Sequence, residues 1–113
     1  FKEENIEAIL EGMRGVTSES GGTAYSTFKN FNIEVGGKTG SAQTGVQGKT
    51  NAWFVGFAPF DDPEIAVVGM VENGGHGYYV AEVVRDIISE YFGMNVQQVN
   101  EDVSASAETE FIR

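Results

Sequence analysis

Lys38-Thr39-Gly40-Ser41 puts an ammonium, two hydroxyls and a bare backbone position in one row, directly after Ile33-Glu34-Val35-Gly36-Gly37. On an extended strand successive side chains point to opposite faces, so Thr39 and Ser41 share a face and Lys38 points the other way. Two hydroxyls on one face can bond a carboxylate. An ammonium beside them stabilises an anion. Gly40 has no side chain, so an extended ligand can lie against the strand and pair with it. These residues suit the binding of an anionic, extended ligand.

Other candidates are weaker. Gly37-Lys38-Thr39 and Gly48-Lys49-Thr50 resemble the end of a phosphate loop. That loop needs a glycine five positions earlier, where Asn32 and Gln43 stand, and a helix afterwards, which neither triplet has. His76 is the only histidine and reads as an exposed loop residue, a poor metal site on its own. Asp61 and Asp62 lie between Pro59 and Pro63 and read as a turn rather than as paired catalytic carboxylates. No metal or cofactor is expected.

The elements that must position Lys38 follow from periodicity. Ile6, Ile9, Leu10 and Met13 recur at helical spacing over residues 3–14, which predicts an amphipathic helix with one buried stripe, stopped at Gly15. A Ser/Gly-rich loop follows over 17–23, then a short helix over 23–28. Residues 31–44 are β-prone. The apolar runs 52–58 and 65–71 are two more strands, and 44–51 is a loop able to rim a cleft. Of Trp53 and Phe54, one should enter the core and the other face away. Val80, Val83, Val84, Ile87, Ile88 and Tyr91 predict a last helix, ended by Gly93. The fold class is α/β of the α+β type, a three-stranded antiparallel sheet flanked by helices, with the last helix covering one face. Residues 1–93 form the domain portion, and 94–113 an acidic tail expected to be loose, with Asn95–Val99 as an optional strand.

Composition bounds the function. The chain has 113 residues, 41% hydrophobic and 21% charged, a globular mixture. Its net charge of −10, from 17 acidic and 7 basic side chains, repels phosphate backbones and argues against nucleic acid as a partner. Cysteine is absent, so disulfides and thiolate metal sites are excluded. No run approaches the roughly 18 apolar residues of a membrane span. The chain opens at Phe1, already in helical sequence, and so reads as a piece of something longer.

A Lys-Thr-Gly strand is one element of the signature shared by serine β-lactamases and penicillin-binding proteins. Around it stand Gly12-Met13-Arg14-Gly15-Val16, Gly22-Thr23-Ala24, Ser41-Ala42-Gln43 and Ala52-Trp53-Phe54-Val55-Gly56-Phe57-Ala58-Pro59, in that order. Over residues 6–92 the sequence resembles the final third of a penicillin-binding D,D-transpeptidase domain, with a lean to the monofunctional class B. The resemblance implies that Lys38, Thr39, Gly40 and Ser41 bind substrate or β-lactam, and that the Ser41 backbone N–H is one oxyanion donor. It implies no catalytic residue here: the nucleophile of a Ser-x-x-Lys motif and a Ser-x-Asn motif belong far upstream. No Ser-x-Asn occurs in the chain. Ser26-Thr27-Phe28-Lys29 has the form of the first motif but the wrong place, just before the Lys-Thr-Gly strand and followed by nothing helical and apolar.

The parent would be a cell-wall D,D-transpeptidase working through an acyl-enzyme, on the outer face of a bacterial cytoplasmic membrane and anchored by an upstream segment. Its partners would be the peptidoglycan stem peptide, β-lactams and the upstream half of the same domain. A β-lactamase or penicillin-sensing receptor shares the fold, and a non-catalytic binding or oligomerisation module would keep it without the upstream motifs. The 53–59 stretch favours the transpeptidase. The strand at Ile65–Val71 is expected to present an apolar edge, open to self-association or to cover by the tail.

Overall fold

Strict alternation in one strand sets the two sides of the sheet. In β2 (Thr50–Ala58), Ala52, Phe54, Gly56 and Ala58 are buried and Trp53 between them is exposed. The computed structural model describes residues 1–94. Its elements run α1 (Glu3–Ser18), α2 (Tyr25–Phe28), β1 (Gly36–Gln43), β2, β3 (Ile65–Val71) and α3 (Tyr78–Tyr91). The strands form one antiparallel sheet in the order β1-β2-β3, so β1 and β3 are its edges. Phe54 enters the core and Trp53 faces away, as alternation predicts.

The helices lie on the Phe54 face. Val80, Val84 and Ile88 of α3 are buried there, each contributing about 1.5–3 kcal/mol by leaving water. Glycines in the sheet admit that helix: a Cβ on Gly69 would lie 2.6 Å from Val80 Cγ1. Phe28 of α2 stacks on Phe54 with ring centroids 5.9 Å apart. Arg85 Nη1 donates to the Thr27 carbonyl at 3.2 Å and ties α3 to α2.

The structure departs from the sequence reading in three places. First, α1 does not stop at Gly15 but continues to Ser18. Its last turn is held from outside: buried Thr17 donates from Oγ1 to the Val35 carbonyl, and Ala24 N–H donates to the Val16 carbonyl at 3.0 Å. Those anchors outweigh the roughly 1 kcal/mol that a glycine costs inside a helix. Second, the stripe expected to be buried on α1 is open, with Ile6, Ile9 and Leu10 exposed. The α3 stripe splits likewise, leaving Val83, Ile87 and Tyr91 exposed while Val80, Val84 and Ile88 are covered. Third, residues 31–35 are not strand. The ladder begins at Gly36, opposite Phe57, because β2 ends one residue later at Ala58, and the Glu34 carbonyl instead accepts from Phe60 N–H in the following turn at 2.9 Å.

Strand β3 has the expected bounds, and Val68, Met70 and Val71 on it are exposed. The expected tail, apart from Met94, and the optional strand over Asn95–Val99 lie outside the described residues.

Candidate functional site

Lys38, Thr39, Gly40 and Ser41 occupy the middle of edge strand β1. Thr39 pairs with Phe54 and Ser41 with Ala52, both buried, so the two hydroxyl residues belong to the helix-covered face. Lys38 pairs with Val55 and Gly40 with Trp53, which puts them on the other face. The four residues therefore alternate between the two faces of the edge strand.

Each polar group has a definite partner. Lys38 is exposed and its Nζ donates to the Thr39 carbonyl at 2.8 Å. The Thr39 hydroxyl lies 3.0 Å from that of Thr23. Ser41 Oγ donates to the Gly75 carbonyl at 3.2 Å, and Thr50 Oγ1 donates to the same oxygen at 3.1 Å.

A recess of about 180 Å³ opens beside these groups, lined by Thr23, Thr39, Gly40, Ser41, His76, Gly77 and Tyr78. Its floor is tight: a Cβ on Gly77 would lie 2.2 Å from the Trp53 carbonyl oxygen and 2.9 Å from Gly40 N. Only a glycine lets the loop before α3 close down on β1 there. Gly77→Ala is expected to push that loop outward and lower the thermal midpoint by several degrees, a shift that Gly40→Ala, with 3.4 Å to its nearest neighbour, should not match. Calorimetry on the two variants checks it.

His76 stacks on Tyr78 with centroids 5.6 Å apart. The Tyr78 phenol is held above its ordinary range, first by the polar influence of the adjoining Tyr79 side chain and then by desolvation, and the two rings lie 4.2 Å apart between centroids. A second recess, on the far side of Thr23, is lined by Lys38 together with Glu11, Glu19 and the 21–23 turn.

Sequence reasoning missed three residues of this arrangement. His76 is exposed as expected yet lines the recess, and Thr23 and Tyr78 join it from segments remote in sequence. Only the Gly22-Thr23-Ala24 spelling hinted at Thr23. Ser26 is exposed on α2 and lines neither recess. The 44–49 segment closes the β1–β2 hairpin through Thr44 and Lys49. Among the described residues no group of three or more His, Asp or Glu stands close enough to hold a metal.

Comparison with known proteins fits this geometry. Residues 1–89 match the family model of the penicillin-binding protein transpeptidase domain. The peptidoglycan D,D-transpeptidase MrdA of Haemophilus influenzae is 31% identical over 108 residues, which cover 82% of this chain and 17% of that protein. The crystal structure of Pseudomonas aeruginosa PBP2 in complex with WCK 5153 superposes with a TM-score of 0.73 at 35% identity, over 80% of this chain and 20% of that one. The Helicobacter pylori PBP2 complexed with MreC superposes with a TM-score of 0.72 at 27% identity, over 80% and 17%. This chain thus spans about a sixth of the curated relative's length. The sheet with its flanking helices is the fold of those transpeptidase domains, and the chain belongs to the penicillin-binding protein transpeptidase family, as a part of that domain.

Proposed function

We propose that this segment supplies the substrate-gripping wall of a serine D,D-transpeptidase that cross-links peptidoglycan and is acylated by β-lactams. The observation that carries the reading is the edge position of Lys38-Thr39-Gly40-Ser41, which turns two hydroxyls and a bare backbone position toward one open recess and leaves the Lys38 ammonium in the adjoining one, across Thr23. An extended stem peptide lies along β1 as an added strand, its terminal carboxylate held by the Thr39 hydroxyl, with Ser41 swinging to join. Lys38 stabilises the anion and the neighbouring nucleophile's hydroxyl. The Ser41 N–H serves as one oxyanion donor as the attacked carbonyl becomes tetrahedral.

The nucleophile comes from a segment outside these residues. In support, the recess of about 180 Å³ is below the roughly 300–1,000 Å³ of a complete small-ligand site, as one wall should be. Placement on the outer face of a bacterial cytoplasmic membrane, with a tether elsewhere in the protein, belongs to the same proposal. No described helix is long and apolar enough to cross a membrane.

The test is acylation by labelled penicillin. The full-length protein is expected to form a stoichiometric adduct on a serine outside these 113 residues, and the isolated chain none. An adduct on Ser26 would overturn the assignment of that motif. The isolated chain is further expected to self-associate through the Ile65–Val71 edge, where exposed Val68 and Met70 flank backbone groups that no other described strand pairs. Light scattering showing a clean monomer, with the β3 amides exchanging freely, would count against it.

A further inference from the structure

The Thr23 hydroxyl lies 3.0 Å from Thr39 Oγ1, across 16 positions of sequence, and its place there is built. Gly22 presses onto the last turn of α1, where a Cβ would lie 2.3 Å from the Gly15 carbonyl oxygen and 2.4 Å from that of Val16. On the other side Ala24 is fully buried and its N–H donates to the Val16 carbonyl. Thr23 is therefore held between two anchored neighbours, with its side chain on the strand that grips the ligand. It lines the Thr39–Ser41 recess and the Lys38 recess alike.

Each hydroxyl carries one proton, so the direction of every bond matters. Without a ligand the Ser41 proton points at the Gly75 carbonyl, so Thr39 is the hydroxyl that can donate before Ser41 has to swing. A carboxylate accepts only. For Thr39 to give its proton to a carboxylate, Thr39 Oγ1 must be the acceptor in its bond with Thr23. We infer that Thr23 is a positioning residue: it donates to Thr39 Oγ1 and so turns the single Thr39 proton toward the carboxylate of the bound ligand. Donors in series polarise one another, which strengthens the terminal, charge-assisted bond. The inference rests on the function proposed above and adds a residue to it.

The experiment uses the full-length protein, labelled penicillin with a free carboxylate, and the same compound as its methyl ester. Thr23 is exposed, so Thr23→Val keeps the branched shape and is expected to fold normally. With the free acid, Thr23→Val should raise the concentration for half-maximal acylation about tenfold, the effect of one charge-assisted bond, while the limiting rate stays within about twofold. Thr23→Ser should restore the wild-type value. With the ester, wild type and Thr23→Val should differ by no more than about twofold. Equal behaviour of wild type and Thr23→Val on the free acid overturns the inference, as does an equal loss on both compounds or a failure of serine to rescue. If Lys38→Ala abolishes acylation while Thr23→Val changes nothing, the inference alone falls. If the wild-type protein takes no penicillin, the proposed function falls with it.

Discussion

Lys38→Ala in the full-length protein is expected to slow acylation by labelled penicillin by about a hundredfold or more while leaving the unfolding transition where it was. The size follows from removing a fixed charge from a site where negative charge develops, typically worth a factor of about 10²–10³. The unchanged stability follows from position. Lys38 is exposed, and its one hydrogen bond among the described residues, to the Thr39 carbonyl, is to the strand beside it. Lys38→Arg keeps the charge but replaces a compact ammonium by a planar fork, so it should recover only part of the rate. Stopped-flow acylation and a urea melt on the same preparations decide the matter. A loss of less than threefold for the alanine variant would remove Lys38 from the site.

The second large effect is on stability. Phe54→Ala is expected to cost about 3–5 kcal/mol, the usual range for deleting a fully buried aromatic ring. The ring is completely buried, pairs across β2 with Thr39 on one side and Gly69 on the other, and stacks on Phe28. It also fills the space left by Gly37, where a Cβ would meet Phe54 Cζ at 2.6 Å. Phe54→Leu keeps most of the volume and should cost less than half as much. Urea midpoints at constant m give both numbers. A Phe54→Ala cost below about 1 kcal/mol would mean that the sheet and helices do not share the core described here.

The elements that the sequence revealed best are those whose pattern needs no distant partner to be read. Strand β3 is visible because seven apolar residues stand between Asp/Pro and Asn/Gly punctuation, and β2 because the apolar run 52–58 ends at the turn between Pro59 and Pro63. The Lys38–Ser41 strand was legible for the same local reason. What stayed hidden depends on contacts made through space. Gly15 looked like a helix stop, and only the clasp of Val35 and Ala24 on the last turn of α1 shows why the helix runs on. Periodicity identifies Ile6, Ile9, Leu10 and Met13 as one apolar side of α1, but a stripe does not say what covers it, and among the described residues the first three stay exposed and Met13 is half-buried. Thr23, His76 and Tyr78 reach the recess from segments 16 or more positions from Thr39, a juxtaposition that spacing along the chain does not encode.

The double anchoring of the Gly75 carbonyl has a bearing on how a ligand is let go. On the proposed function, a carboxylate that draws the Ser41 proton to itself would cost Gly75 one donor and leave it Thr50, whose hydroxyl sits 3.1 Å away on the neighbouring strand. The turn leading into α3 would then stay moored through binding and release, with Ser41 swinging between ligand and loop as a latch and the helix behind it held.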